Sequence, residues 1–263
     1  MSSENQLTEH LEGIWDNWRD HTGNCRGCSH WGTGGGNAPF YGVGNLEAEV
    51  VLIAKEPGAA SDPANPQWTE DLDTHHDEIY NYIQSEYDSH LDRQSDIRKT
   101  GMYEEYSDFV PTFIDPLLDN NIGIYYTNLK KCREKSSSGE EELQKAINCC
   151  GSYLKTELEI LSPNVIVTFG NEATKWIYDY YPELYDEYDI SMTKDEMPAS
   201  AGGIMSENQM VREINDTVII PSTHFSARNI PNFGSKKQMV TNFQELAEII
   251  IRSCASTHTS PSE

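Results

Sequence analysis

Four short apolar runs separated by helix-length segments dominate the hydrophobic pattern of this 263-residue chain. They are Glu49–Ala54, Ile122–Asn128, Pro163–Gly170 and Thr217–Pro221, β-branched or aromatic and bounded by Gly, Pro or polar residues. Continuous runs of this length predict strands buried on both faces rather than half-exposed ones. Leu7, Leu11, Ile14, Trp15 and Trp18 recur at helical spacing over residues 5–20. Ser138, followed by Glu140 and Glu141, opens a helix that carries Leu143, Ile147, Tyr153, Leu154 and Leu158 to about Leu161. Further helices are expected over residues 171–180 and 235–252, and a mostly helical, acidic stretch over 70–118 with breaks at Pro111 and Pro116. Residues 24–44 read as a Gly-, Asn- and Pro-rich loop, and residues 181–216 as an acidic excursion with little periodicity.

Strands alternating with helices predict an α/β fold, a three-layer sandwich whose central, mostly parallel four-stranded sheet is flanked by helices. One domain over residues 1–252 is expected, with a disordered tail over 253–263. Ligands of such sheets bind at the carboxyl ends of the strands. Glu56, Asn128 and His224 all fall there.

Charge changes the picture in one respect. The chain has 43 acidic and 19 basic residues, a net charge of -24. Taken alone, that opposes a nucleic-acid partner. The acids are spread along the whole length, however, as on a solvated surface suited to a salt-rich cytoplasm, where self-repulsion is screened over roughly 3 Å at molar salt. The basic residues cluster instead: Lys130, Lys131, Arg133 and Lys135 in one loop, Arg228, Lys236 and Lys237 in another. These are the places where an anion is expected to sit. No apolar run approaches the roughly 20 residues of a membrane span, and the first residues lack a signal-peptide pattern. A cytoplasmic protein with no membrane partner is expected, and its thiols would be reduced.

Cysteine spacing supplies the candidate chemistry. Cys25-x-x-Cys28 precedes the first strand, Cys132 follows the second, and Cys150 lies in the helix after it. Paired thiols far apart in a reducing setting suggest a metal or iron–sulfur site. Cys149 rivals Cys150 for the last place. Cys254, near the carboxyl end, is expected to be a plain thiol.

Four pieces in register resemble the iron–sulfur, family-four uracil-DNA glycosylases. They are Cys25-x-x-Cys28 with the lead Gly42–Val50, Ala54-Lys55-Glu56-Pro57-Gly58, Thr127-Asn128-Leu129-Lys130-Lys131-Cys132-Arg133, and Cys150-Gly151-Ser152-Tyr153-Leu154 with the strand after it. The resemblance runs from about Cys25 to Leu246. It implies a monomeric base-excision repair enzyme acting on DNA that contains uracil or another deaminated base. It also implies a structural 4Fe-4S cluster on Cys25, Cys28, Cys132 and Cys150, with zinc a second occupant that the same thiolates would fit.

The family asparagine that reads the uracil edge corresponds to Asn128, whose amide offers a donor and an acceptor together. His224, in Thr223-His224-Phe225-Ser226, stands in the family's His-Pro-Ser segment, placed to stabilise charge on uracil O2 as the glycosidic bond breaks. Ser222, Ser226 and Arg228 would hold flanking phosphates. Trp68 or Phe40 would stack on the extruded base, with Tyr41 a further candidate. Glu56 departs from the family: it stands where alanine is usual, and Lys55 takes the glutamate's place. It is read either as the carboxylate that orients water or as a salt-bridge partner of Lys55. These departures leave open a catalytically silent member that binds DNA or a modified base.

Overall fold

The computed structural model describes residues 3–26, 28, 42–45, 47–55, 109–132, 140–186, 212–222 and 236–257. Its elements in chain order are α1 (Ser3–Arg19), β1 (Val43–Gly44), β2 (Val50–Ala54), a π-helical turn (Val110–Ile114) running into α2 (Asp115–Asp119), and β3 (Ile124–Asn128). Then follow α3 (Glu140–Leu161), β4 (Val165–Phe169), α4 (Asn171–Tyr180), α5 (Glu183–Asp186), β5 (Arg212–Ile214), β6 (Thr217–Ser222) and α6 (Lys236–Thr257).

The strands form one sheet in the order β1-β3-β2-β4-β6-β5. Its parallel centre, β3-β2-β4-β6, is the four strands expected from the apolar runs. The sheet has six strands rather than four, because an antiparallel strand closes each edge. β5 pairs with β6 across Asn215-Asp216, both at positive φ (50° and 66°), a two-residue hairpin turn whose twist matches the strands. It lies in the stretch read as an aperiodic excursion, where three strand residues are too few to register as a period. β1 is shorter still. Gly44 there has φ +124°, and a Cβ would overlap the Ile124 carbonyl oxygen, so the edge contact requires glycine.

Alternation along each strand sorts the core into two layers. Val51, Ile53, Tyr125, Ile166 and Ile219 face α1, α3 and α4 in one cluster. Val50, Leu52, Ala54, Ile124, Tyr126, Val167, Phe169 and Ile220 face the 109–118 segment and α6 in the other. A knot of aromatics centres the second layer, with Phe109 ring centroids 5.0, 5.6 and 4.9 Å from Phe113, Phe169 and Phe243. In the first, Leu7, Leu11, Ile14 and Trp18 bury the inner stripe of α1 against α3. Each such side chain contributes roughly 1.5–3 kcal/mol.

Two sequence expectations are corrected at the ends of elements. The tail was expected to begin at Ser253, but α6 continues to Thr257 and buries Cys254 against the second layer. Pro111 and Pro116 were read as breaks. They instead occupy the first turns of the π-helical turn and α2, where a missing N–H costs least. No helix among the described residues is long and apolar enough to cross a membrane.

Candidate functional site

β2 leads toward β3 on one side of the sheet, and β4 toward β6 on the other. The crevice between their carboxyl ends is therefore the topological switch point, where open α/β sheets bind ligands. Register makes that edge level. Ala54 pairs with Asn128, Ile53 with Thr168, and Phe169 with Ser222. Ala54, Asn128, Phe169 and Ser222 thus lie in one transverse row, all on the face of the aromatic layer by alternation. Lys55 follows directly, and its Nζ lies 3.5 Å from Glu172 Oε1 at the start of α4, bridging the crevice. The turn there is set by Gly170 at φ +92°, with Thr174 Oγ1 donating to the Gly170 carbonyl at 2.8 Å.

Asn128 is the unusual member of the row. It is fully buried. Its Oδ1 receives a long contact, 3.4 Å, from the Tyr126 hydroxyl, while its Nδ2 has no hydrogen-bond partner among the described residues. A buried donor without a partner costs about 1–3 kcal/mol. Folding alone gives no reason for that cost; a ligand that accepts from the amide does. Ser222 is also fully buried, which suits a hydroxyl anchoring the strand end better than one open to a phosphate. Glu56, Phe40, Trp68, His224, Ser226 and Arg228 lie outside the described residues.

The thiols gather beside the middle of α3. Cys25, Cys132 and Cys150 are buried, Cys28 and Cys149 half-buried, and no disulfide joins them. Cys132 donates to Cys150, and this bond, with the Lys131 backbone N–H and the Lys130 and Lys131 charges, brings Cys150 down to about 7 against the cost of burial. Burial pushes Cys25 up to about 11, opposed by its 3.6 Å contact with the Tyr153 hydroxyl. Cys28 pairs with Cys149. Cys25 and Cys132 lie near enough to each other, to Cys28 and to Cys150 to feel their charge, and Cys25 feels Cys149 as well.

Among the described residues, no three His, Cys, Asp or Glu side chains are set around one point as ligands of a single ion. A mononuclear zinc site draws its sulfurs to about 2.3 Å of one metal, whereas a cluster spreads four thiolates over several irons. Neighbouring thiols that no disulfide joins are a donor set that either could use.

The basic loop departs from its sequence reading. Lys130 and Lys131 were expected to offer charge to an anion, but both are buried. Lys131 Nζ donates to Glu157 Oε2 at 2.7 Å and to Thr127 Oγ1 at 2.6 Å, and Thr127 Oγ1 donates to the same Oε2 at 2.8 Å. Glu157 Oε1 lies 2.6 Å from the same Nζ as its ion-pair partner, without a hydrogen bond of its own. Sequence reasoning missed Glu157. The available signal was its spacing: seven residues, two helical turns, beyond Cys150 on the inner face of α3.

Sequence comparison places the chain among known proteins. The family model described as the uracil DNA glycosylase superfamily matches residues 41–247. Three proteins named type-4 uracil-DNA glycosylase are similar. That of Sulfurisphaera tokodaii is 25% identical over 128 residues, covering 49% of this chain and 51% of its own. That of Archaeoglobus fulgidus is 24% identical over 159 residues, 60% of each. That of Saccharolobus solfataricus is 33% identical over 55 residues, 21% of this chain and 24% of its own. The chain spans about half to three-fifths of the length of the first two relatives.

Proposed function

The chain belongs to the uracil DNA glycosylase superfamily, and on that premise we propose that it excises uracil, or a related deaminated base, from DNA by hydrolysing the N-glycosidic bond. The observation that carries this reading is the buried Asn128 amide, whose Nδ2 lacks a partner in the strand-end row. Nδ2 would donate to uracil O4 while Oδ1, touched on one side by the Tyr126 hydroxyl, accepts from uracil N3–H. Cytosine presents the opposite pattern, and its pairing would leave both buried groups opposed. Such mismatches discriminate by about 10⁴-fold.

His224, two residues beyond the buried end of β6, would stabilise charge developing on uracil O2. Glu56, two residues beyond the end of β2, would orient water toward C1′. A salt bridge to Lys55, whose Nζ also lies 3.5 Å from Glu172 Oε1, is the alternative role for Glu56. Trp68 or Phe40 would stack on the extruded ring, and Ser226 and Arg228 would hold phosphates.

Cys25, Cys28, Cys132 and Cys150 would hold a 4Fe-4S cluster, with Cys150 preferred to Cys149 because it is buried and bonded to Cys132. A four-thiolate cluster leaves no open position for chemistry, so its contribution is structural. The cluster would tie Cys25, Cys28 and Cys132 to α3.

Release of uracil from a labelled single strand, at high salt and with protein purified without air, tests the reading. Release abolished by Asn128→Ala supports it. DNA binding without release, from a protein of full iron content, would make this chain a silent binder instead.

A further inference from the structure

We propose that Glu157 is a positioning residue for the base-reading end of β3, clamping the chain on both sides of Asn128 from behind the sheet. The functional consequence rests on the reading of Asn128 given above; the clamp itself does not.

Strand alternation puts Thr127 on the α3 face and Asn128 on the opposite, aromatic face. Glu157 Oε2 accepts from Thr127 at 2.8 Å, the residue before Asn128, and from Lys131 at 2.7 Å, three residues after it. A 2.6 Å bond from Lys131 to Thr127 closes the triangle. One carboxylate oxygen therefore fixes the separation of residues 127 and 131. All three side chains are buried, so water does not compete for these bonds. In the plane of the sheet, Leu129 N–H and Lys130 N–H bond to the Ala54 and Lys55 carbonyls at 2.9 Å each. The ladder holds this segment sideways; Glu157 holds it perpendicular to the sheet.

A core that needed only stability would be served as well by apolar side chains, because a buried ion pair gains little over them. What the polar triangle adds is register. α3 grips the same six residues twice, at Thr127 and Lys131 through Glu157 and at Cys132 through Cys150. Asn128 lies between Thr127 and Lys131, within the first grip, and an amide reading two atoms of a base loses its function with small displacements.

Two variants test the clamp: Thr127→Val, which leaves the ion pair in place, and Lys131→Met/Glu157→Leu, which replaces it with apolar volume. The first readout is amide hydrogen exchange at Leu129–Cys132, which needs neither uracil nor activity. Exchange there should quicken by about 10-fold or more in both variants without global unfolding. On a uracil-containing strand, kcat should fall by about 10-fold or more at little-changed KM, and the preference for uracil over cytosine should narrow. Thr127→Ser, which keeps the hydroxyl, should restore both readouts. Exchange and kcat within about twofold of the parent protein in folded variants would overturn the proposal. If the double variant does not fold, Thr127→Val decides. If the parent protein releases no uracil, the function has failed on its own, and the exchange data still decide the clamp.

Discussion

Replacing Lys131 alone with methionine would remove the ammonium from a carboxylate that has no access to water. At 2.7 Å and an effective dielectric near 20, the attraction within the pair is about 6 kcal/mol. Desolvation of the two ions, several kcal/mol each, offsets most of it. The intact pair is therefore close to neutral for stability, but half of it is not. Glu157 would keep one hydroxyl bond, from Thr127, and lose the rest. The expected cost of Lys131→Met is about 3–5 kcal/mol, which for a domain of this size lowers Tm by roughly 6–20 °C. Lys131→Met/Glu157→Leu should recover most of that loss, within about 1 kcal/mol of the parent. Urea unfolding monitored by circular dichroism measures both, with an unchanged m-value confirming that the native fold is the reference. A single variant that costs less than about 1 kcal/mol, or a double variant as unstable as the single, would refute the picture of a dry, mutually dependent pair.

Other residues give equally direct expectations. Cys25→Ser should abolish the visible absorbance of air-free protein and its bound iron and lower Tm; a colourless parent protein of equal stability would remove the cluster from the account. Gly44→Ala forces a Cβ against the Ile124 carbonyl at φ +124° and should cost about 2 kcal/mol or more in urea unfolding; a neutral result would contradict the tight β1 edge. Burial lowers the pKa of His10 below its usual 6.5, with the nearby Glu157 charge only partly opposing. The unfolded chain then binds the proton more readily, so this contribution to stability is complete above pH 6.5 and declines as pH falls toward the folded value. His10→Gln should flatten that decline in stability between pH 7 and 5; an unaltered slope would place His10 in water.

Much of the architecture was legible because buried parallel strands are written as continuous apolar runs. The four central strands and the helices over residues 3–19, 140–161 and 171–180 follow from apolar runs and periodicity alone. The edge strands were not legible, since two or three residues cannot establish a period. Only the Asn215-Asp216 pair signalled the hairpin at β5. At the site, strand-end logic singled out Asn128 with Glu56 and His224, of which Asn128 alone lies among the described residues, and thiol spacing singled out Cys25, Cys28, Cys132 and Cys150. What misled was charge. Lys130 and Lys131 read as an exposed basic loop, because nothing in their local sequence reveals that Glu157, 26 residues later, is folded against Lys131. Pairing at that separation is decided by packing, and one sequence does not display it.

The central claim is that the Asn128 amide selects the base that is cleaved. Single-turnover release of free base from matched strands carrying uracil or cytosine, for the parent protein and for Asn128→Ala, tests it most directly. The account predicts uracil release by the parent, no detectable cytosine release, and loss of uracil release by about 10²-fold or more in the variant, with DNA affinity retained. Equal uracil release with and without the Asn128 amide would contradict it.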